Sequence, residues 1–309
     1  ETDSSSPDES FDLQFYFGPN DLKTLKAVAT DLDEIIPYGW GIFGYVNKWL
    51  IIPVFNFLSK FIPNYGIIIF ILAILVKLIL SPLTYKSYMS TAKMKVLKPE
   101  LAELKEKYGK DAAKMQQEQM KLYSKAGVNP MGGCLPMLLQ MPILFAMYRF
   151  FPSSIDLRQA GFLWADDLST YDNVFDLPFN IPFYGDHVSL FTLLMTLTSF
   201  FTMKANSQMQ PGMSTGPAAA QMKMMQYFMP IMFLGIFNNF AAGLTYYYLL
   251  YNIFTFVQQK VINRYFIDED AIHAQIQENK KKPKKKSGFQ ARLQKMMEEQ
   301  EKAKRQRKR

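Results

Sequence analysis

Three long and mostly apolar stretches of this 309-residue chain contain no Asp, Glu, Lys or Arg, and they restrict its fold more than any other feature. They cover residues 126–148, 187–203 and 224–259, with lengths of 23, 17 and 36 residues. A soluble core seldom needs uncharged runs of that length, whereas a helix that crosses a bilayer needs about 20 mostly apolar residues. Since 49% of the residues are hydrophobic and only 20% are charged, the sequence excludes an ordinary soluble globular enzyme.

These stretches and one further apolar run predict five transmembrane helices. The run at 224–259 is too long for one span and long enough for two short ones, with Asn238, Asn239 and Gly243 in the turn between them. The third span is short, because 17 residues at 1.5 Å each make a helix of about 25 Å. In chain order the predicted spans are 64–84, 130–151, 187–204, 222–240 and 243–262.

Residues 39–63 have a one-sided helical pattern that fits the membrane surface better than a span. Their polar side chains fall within a sector of about 120°, and the rest of the helix surface is apolar. We expect an amphipathic helix in the interface, kinked or broken at Pro53, although a core helix of a soluble domain would show a similar pattern. The polar sector contains Lys48, Asn56, Ser59 and Lys60.

Residues 85–128 are predicted to form two antiparallel helices. The segment is polar, with ten lysines and five acids, and its apolar residues recur with a 3-4-3-4 spacing on both sides of a turn at Gly109. That spacing keeps one narrow stripe of each helix facing the other. The stripes are Met94, Leu97, Leu101, Leu104 and Tyr108, and then Ala112, Met115, Gln119, Leu122 and Ala126.

The distribution of lysine and arginine orients the predicted spans, because both residues are enriched in cytoplasmic loops. Segment 85–128 has ten of them, loop 152–186 has one, Arg158, beside six acids, and tail 263–309 has fifteen against seven acids. With five spans, the N-terminus then lies outside and the basic tail inside. The uncharged loop 205–221, rich in Gly, Pro, Ser and Met, is placed on the cytoplasmic side.

Lys77 is the one charge well inside a predicted span. An ionised lysine at the centre of a membrane helix costs roughly 2.5–3.5 kcal/mol, so an intramembrane ionisable residue is a functional candidate. The alternative is that its long side chain reaches up to the lipid head groups. No acid lies in any predicted span to pair with it.

Other polar and flexible residues of the spans have two interpretations each. Gln140 needs a hydrogen-bonding partner, which is either water in a hydrophilic cavity or a polar group of a neighbouring helix. Methionines crowd the second and fourth spans and suit a surface that accepts varied apolar partners, although ordinary packing explains any single one. The methionines of these two spans include Met137, Met141, Met229 and Met232.

The sequence offers no pattern for metal, cofactor or covalent chemistry. The single cysteine, Cys134, cannot form an internal disulfide or a cysteine zinc site, and His187 and His273 are too distant in sequence to make a metal cluster by themselves. Nucleophile–base pairs, phosphate loops and intramembrane carboxylate pairs are not found either. We therefore expect no cofactor, no metal and no enzymatic activity.

Several short strings of residues resemble one protein family in the same order along the chain. Residues 129–143 (NPMGGCLPMLLQMPI) closely resemble the second core span of YidC-type insertases of the YidC/Oxa/Alb family. The match runs from about residue 38 to residue 262, and residues 11–30 are similar to the end of the periplasmic domain of Gram-negative members. The other matching strings are Ser81–Thr84 (SPLT), Ala92–Met94 (AKM), Leu157–Ala160 (LRQA) and the pair Gln258-Gln259.

The resemblance implies an all-α integral membrane protein of the bacterial inner membrane. Its five transmembrane helices would surround a hydrophilic groove open to the cytoplasm, with an interfacial amphipathic helix at 39–63 and a cytoplasmic helical hairpin at 85–128. Residues 1–38 would be the remnant of the periplasmic domain, with the first transmembrane helix and most of that domain missing. The N-terminus would be periplasmic, 152–186 a periplasmic loop and the C-terminus cytoplasmic.

The same resemblance implies a membrane protein insertase that inserts and helps fold inner-membrane proteins. Lys77 matches the position of the positive side chain in the groove, where the family usually has arginine, and a lysine there loses the planar five-donor fork. Gln140 and Tyr248 would also line the groove. A greasy flank of Met137, Met141, Met229 and Met232 would carry the substrate's apolar segment, and the residues assigned to the hairpin are Lys93, Lys95, Glu103 and Lys107.

Expected partners are nascent membrane proteins, the Sec translocon, membrane lipids and the ribosome through the basic tail, with no DNA. The alternative function is a channel or secondary transporter, whose permeation path would be the wet groove. Transporters normally carry acids near the midplane and repeated halves, and neither pattern is found in the sequence. A structural scaffold is a third possibility, but it would leave Lys77 without a role.

Overall fold

The computed structural model describes residues 15–109, 111–129, 132–133, 135–209 and 217–281, and the fold is mostly helical. One feature departs from the all-α prediction: loop 152–186 leads into an antiparallel hairpin of strands β1 (Phe175–Ile181) and β2 (Gly185–Val188). The α-helices are α1 (Leu22–Val28), α2 (Gly41–Val46), α3 (Ile52–Leu58), α4 (Tyr65–Val96), α5 (Lys98–Tyr108), α6 (Ala112–Ala126), α7 (Leu135–Ser153), α8 (Leu190–Met209), α9 (Pro217–Phe237), α10 (Ala242–Tyr265) and α11 (Glu269–Lys281).

Helix α4 continues well past residue 84, where the apolar pattern ends. Its first turn is capped by the Asn64 side chain, which accepts a hydrogen bond from the Ile67 backbone amide. Residues 85–96 contain no glycine or proline, so nothing interrupts the helix until Pro99, in the first turn of α5. At 32 residues the helix is about 48 Å long, which exceeds the roughly 30 Å of hydrocarbon in a bilayer.

The main core surrounds α10. This helix packs against both α4 and α8, while α9 packs against α8, and α7 packs against α4 and α2. Gly243 was predicted in a turn but is the second residue of α10. A Cβ at this position would lie 2.7 Å from the Phe151 ring, so the close packing requires glycine. The turn itself lies at 238–241, just before α10. Fully buried aromatic residues of this core are Phe55, Phe151, Phe191 and Tyr247.

A second core joins α5 and α6 to α11. The two helices lie on either side of Gly109, as the spacing predicts, but Met94 of the first predicted stripe belongs to α4 and Leu97 precedes α5. Leu97, Leu101 and Ala126 are buried in this core together with Ile272 and Ile276 of α11. The first part of the predicted tail is therefore a packed helix, since two isoleucines four residues apart form one apolar stripe. Residues 282–309 lie outside the described part of the chain.

The segment at 39–63 forms a nearly continuous helix with a wider turn in the middle. A π-helical turn at Asn47–Ile51 separates α2 from α3, and Pro53 lies directly after it in the first turn of α3. Pro53 has no amide to donate, which favours the local change in pitch over a break. Trp40, Trp49 and Phe61 are exposed on its surface.

Among the described residues, two helical stretches are long and apolar enough to cross a membrane, at Gly41–Leu58 and Tyr65–Val96. Tyr227–Phe237 is a shorter apolar helix by the same criterion. The five-span count and the placement of 39–63 in the interface stay predictions.

Candidate functional site

Lys77 lies inside the protein, between α4 and α10. Its side chain is buried, with the residue 8% exposed. The ammonium Nζ donates a hydrogen bond of 2.5 Å to Thr255 Oγ1 and lies 3.5 Å from the centroid of the Tyr251 ring. Thr255 Oγ1 in turn donates to the Tyr251 carbonyl at 2.6 Å. The side chain thus points toward α10, whereas snorkelling would carry it to the surface.

No carboxylate neutralises this lysine within the described part of the chain. Lysines that do pair with a carboxylate there include Lys26, Lys95, Lys121 and Lys280. An ammonium has three N–H donors, and one hydroxyl and one aromatic face replace only part of its hydration. A desolvated cation without a counter-charge is costly. The site is therefore suited to an anionic group from outside the chain.

The polar surface around Lys77 continues toward the end of α10. Gln258 Nε2 donates to Ser81 Oγ at 3.4 Å and to Thr84 Oγ1 at 3.2 Å. Its Oε1 is buried without a hydrogen-bond partner. We call this surface the α4–α10 seam, formed by Lys77, Ser81 and Thr84 on α4 and by Tyr251, Thr255 and Gln258 on α10.

The seam follows one periodicity on both helices. Its members are spaced four and then three residues apart on α4, at 77, 81 and 84, and likewise on α10, at 251, 255 and 258. This spacing places each set on one face of its helix. Sequence reasoning missed Tyr251 and Thr255, although the matched spacing of polar residues in two apolar helices was a usable signal.

Further polar contacts join α10 to α8. Asn252 Nδ2 donates to Ser199 Oγ at 2.6 Å, and Gln259 Nε2 donates to Asn206 Oδ1 at 3.0 Å. Buried bonds of this kind are typical of helices that pack in a membrane, where small and polar residues hold the interface. Helix α10 therefore presents polar side chains to two neighbours at once.

The other predicted groove residues reach α10 in different ways. Gln140 is buried and donates to the Tyr247 hydroxyl at 3.3 Å, and its Oε1 has no partner. Tyr248 is half-buried and stacks on Tyr251, with ring centroids 5.7 Å apart. The structure thus connects Tyr248 to Lys77 through Tyr251, and Gln140 contacts α10 four residues before Tyr251.

The four methionines predicted to form a flank lie on two helices. Met137 and Met141 are exposed on α7, and Met229 and Met232 are half-buried on α9. Helix α7 packs against α2 and α4, whereas α9 packs against α8. The exposed side chains of α7 leave an apolar surface that a lipid-like or helical partner can contact.

The predicted hairpin residues lie at the second core. Lys95 pairs with Glu269 of α11 at 2.6 Å, while Glu103 and Lys107 are exposed and Lys93 is half-buried. A further ion pair at the same interface joins α5 to α11, between Glu100 and Lys280. No group of three or more His, Cys, Asp or Glu that could hold a metal is found where the structure describes the chain.

Comparisons with known proteins agree with this architecture. A family model described as "60Kd inner membrane protein" matches residues 57–270. The membrane protein insertase YidC of Parabacteroides distasonis is 52% identical, over 92% of this chain and 47% of its own. The same protein of Amoebophilus asiaticus is 53% identical, over 91% of this chain and 46% of its own.

One solved structure is similar in fold as well. It is an active YidC insertase with its first transmembrane domain resolved, with a TM-score of 0.52 and 27% identity over 79% of this chain and 53% of that chain. The chain spans about half the length of the curated relatives it matches. It belongs to the 60Kd inner membrane protein family, in which its relatives are YidC insertases, as its sequence motifs predict.

Proposed function

We propose that this chain is the membrane-embedded core of an insertase that inserts and helps fold inner-membrane proteins. The observation that carries the proposal is Lys77, a buried cation in the α4–α10 seam with no carboxylate partner among the described residues. Relatives over most of this chain bear the name membrane protein insertase. We expect no covalent step, because the transfer of an apolar helix into lipid is itself favourable.

The seam would receive the polar, translocated part of a substrate. In the structure it is closed by the Lys77–Thr255 bond and by the bonds of Gln258 to α4. An incoming carboxylate would replace the hydroxyl at Lys77, so that opening exchanges one set of polar contacts for another. Two unit charges 4 Å apart attract by about 4 kcal/mol at an effective dielectric constant of 20, against about 1 kcal/mol in water.

The apolar segment of the substrate would travel along the flank of Met137, Met141, Met229 and Met232. Flexible thioethers accept side chains of varied shape. Burial in lipid then contributes about 25 cal/mol per Å² of apolar surface, which drives release without a nucleotide. Strand β2 takes the first residues of the predicted third span, and the uncharged part of α8 is limited to residues 190–203. Such a short apolar stretch would thin the bilayer locally and shorten the path.

We also propose a position for each segment relative to the membrane and a set of partners. Five spans would surround a groove open to the cytoplasm, with the N-terminus periplasmic and the hairpin and tail cytoplasmic. The tail would bind the ribosome, the Sec translocon would be a further partner, and lipids would surround the spans. Each of these depends on the membrane topology, for which a test is given in the Discussion.

The deciding experiment uses purified protein in liposomes. Protease protection of a single-span substrate measures insertion, and flux of ions and small solutes through the same vesicles measures permeation. We expect insertion without flux. Flux without insertion would support the channel or transporter, and neither activity in folded protein would leave a scaffold as the better account.

A further inference from the structure

The β1–β2 hairpin exposes an unusual amount of apolar surface. Large apolar residues occupy every second position of β1, and Phe175, Phe179 and Ile181 among them are exposed. At the tip, Phe183 is 95% exposed. An isolated two-stranded hairpin is only marginally stable in water, and contiguous exposed apolar side chains commonly mark a contact surface. The exposed apolar side chains of the hairpin are therefore better suited to an apolar environment than to water.

The backbone at the tip strengthens this inference. Phe183 has φ = 68°, in the left-handed region that glycine and asparagine favour and a bulky side chain avoids. Residues held in such conformations often have a functional reason for their side chain. Here a phenylalanine occupies a turn position at a conformational cost, although its side chain is almost completely exposed.

The tip is clamped onto the end of α9, so its orientation is fixed. Asn238 Nδ2 and Asn239 Nδ2 both donate to the Tyr184 carbonyl, at 2.9 and 3.0 Å. At the base of the hairpin, the ring of His187 stacks on Tyr171 with centroids 3.9 Å apart. A Cβ at Gly235 would lie only 3.4 Å from the Phe183 carbonyl oxygen, which shows how closely the tip approaches α9.

An apolar cavity of about 580 Å³ lies between the tip and α9. Ile181 and Phe183 line it on one side, and Ile231, Met232 and Ile236 line it on the other. Ile231 and Ile236 are also exposed on the outer surface of α9. The apolar surface is thus continuous from the helix, across the cavity, to the hairpin tip.

The charges around the hairpin favour acyl chains over head groups. Residues 159–203 contain no lysine or arginine, and the hairpin itself carries Asp176 and Asp186. This stretch of the chain therefore supplies no Lys or Arg side chain for a phosphate. Aromatic side chains at the boundary of an apolar helix are typical of the membrane interface.

We propose that the hairpin tip, residues 181–184, inserts into the adjacent lipid leaflet and that the cavity behind it holds a phospholipid acyl chain. In the proposed topology this is the periplasmic leaflet. The inference needs the chain to lie in a membrane and does not depend on insertase activity. The hairpin would fix the outer end of α9 to the bilayer.

Spin labels measure this insertion directly. Phe183→Cys and Asp166→Cys, an exposed position in the same loop, are labelled in a Cys134→Ser protein and reconstituted into phosphatidylethanolamine–phosphatidylglycerol vesicles. At Phe183 the label should collide with oxygen several-fold more often than with a water-soluble nickel chelate. The label at Asp166 should show the reverse. Equal, water-like accessibility of both labels would overturn the proposal.

A photo-crosslinker distinguishes lipid from protein as the occupant. With p-benzoylphenylalanine in place of Ile231, irradiation of vesicles without substrate should yield a phospholipid adduct by mass spectrometry. Because Met232 belongs to both the proposed flank and this cavity, a substrate in transit should lower the yield only in part. An adduct with the substrate that replaces the lipid adduct would overturn the assignment of the cavity to an acyl chain.

Discussion

The Nζ of Lys77 and the ring of Tyr251 face each other across α4 and α10, with 3.5 Å between the nitrogen and the ring centroid. The ring carries partial negative charge on its face, so it stabilises the cation without neutralising it. A carboxylate in place of Tyr251 would bind the lysine more strongly, but in the proposed mechanism it would also occupy the position of a substrate acid. The pair therefore suits a cation that must stay available.

The charge of Lys77 should control insertion of substrates with acidic tails. We expect Lys77→Arg to retain insertion, Lys77→Ala to reduce it and Lys77→Glu to reduce it most, since attraction becomes repulsion. An attraction of about 1–4 kcal/mol corresponds to a loss of roughly fivefold up to a thousandfold. Protease protection is measured for substrates with zero to three acids in the translocated tail. Insertion of substrates without tail acids should be nearly the same in all Lys77 variants.

The matched control for this series is Lys86→Glu, which reverses an exposed charge on the same helix. It should leave insertion close to that of the unaltered protein at every tail charge. Protein levels are compared in all variants. Equal activity of the Lys77→Glu and Lys77→Arg proteins would mean that the charge is not the working feature, and a purely hydrophobic route would be the better account.

The contact between Lys77 and Tyr251 should appear as a coupling energy in unfolding. We expect Tyr251→Phe to cost less than about 1 kcal/mol, because the ring face is kept, and Tyr251→Leu to cost more. In a double-mutant cycle with Lys77→Met, the coupling should be about 0.5–2 kcal/mol. Unfolding in mixed micelles of increasing SDS content, followed by circular dichroism, provides the free energies. Additive effects would contradict a direct interaction.

Lys77 could be identified from the sequence, whereas its partners could not. A single charge within an apolar run stands out by composition, but serine, threonine and tyrosine are ordinary residues in membrane helices. The bond to Thr255 joins residues 178 positions apart, and hydropathy does not say that α4 lies beside α10. The repeated four-and-three spacing was visible in each helix, but only packing shows that the two sets meet.

Other differences from the sequence analysis have similar causes. Hydropathy marks where a membrane ends and not where a helix ends, so α4 was predicted to stop at 84. The hairpin was missed because Pro178 interrupts the alternating pattern of β1, and proline normally argues against a strand. Helix α11 was included in a basic tail because charge dominates its composition, although Ile272 and Ile276 give it a buried face.

Helix α11 should hold the α5–α6 hairpin in place. Ile276→Ala removes a buried side chain from the second core and should lower local stability by about 2–4 kcal/mol. Lys95→Ala removes an ion pair whose side chains are both more than half exposed, and should cost less than about 1 kcal/mol. Hydrogen exchange of residues 98–126 measures both effects, and equal protection in the two variants would contradict this role of α11.

The basic residues beyond α11 should bind a polyanion, first of all ribosomal RNA. Truncation after Lys281 removes twelve of the fifteen Lys and Arg in 263–309 and leaves α11 intact. Co-sedimentation with ribosomes should weaken at low salt, and binding by the full chain should fall by at least about tenfold between 50 and 200 mM salt. A tail of equal length with Gln for Lys and Arg is the control, and unchanged binding after truncation would assign the tail another role.

Truncation after Asp268 would not answer the same question. That variant also removes Ile272 and Ile276 from the second core, so a loss of ribosome binding could come from a displaced hairpin. Comparison of the two truncations separates the contribution of the basic residues to ribosome binding from the effect of removing α11.

The membrane topology is the last prediction, and it includes the interfacial placement of 39–63. Phe43 contacts Phe145 of α7, with ring centroids 5.3 Å apart, and Phe55 contacts Phe150, at 5.1 Å. A helix that crossed the bilayer beside α7 would follow it for its whole length. Here the two α7 rings that Phe43 and Phe55 contact lie only about 7.5 Å apart along that helix, and Phe55 also stacks on Tyr65, at the start of α4.

Residues before this helix lie at the same end of the molecule as the end of α7. Asn20, Asp21 and Ser154 line one small cavity with Asp156. Burial raises the pKa of the Asp156 carboxyl, and the nearby carboxylate of Asp21 raises it further. The residues before 39–63 thus lie beside the end of α7, and we expect this arrangement of a helix in the interface.

Single cysteines in a Cys134→Ser protein test this arrangement with a membrane-impermeant maleimide. Lys23→Cys and Asp166→Cys, both exposed, should react only from the periplasmic side, and Lys125→Cys only from the cytoplasmic side. The protein without cysteine should not react at all. If 41–58 crosses the membrane instead, Lys23 and Asp166 will be labelled from opposite sides. Labelling of Asp166 and Lys125 from the same side would contradict the five-span arrangement, because an odd number of spans must separate the α5–α6 hairpin from the loop that follows α7.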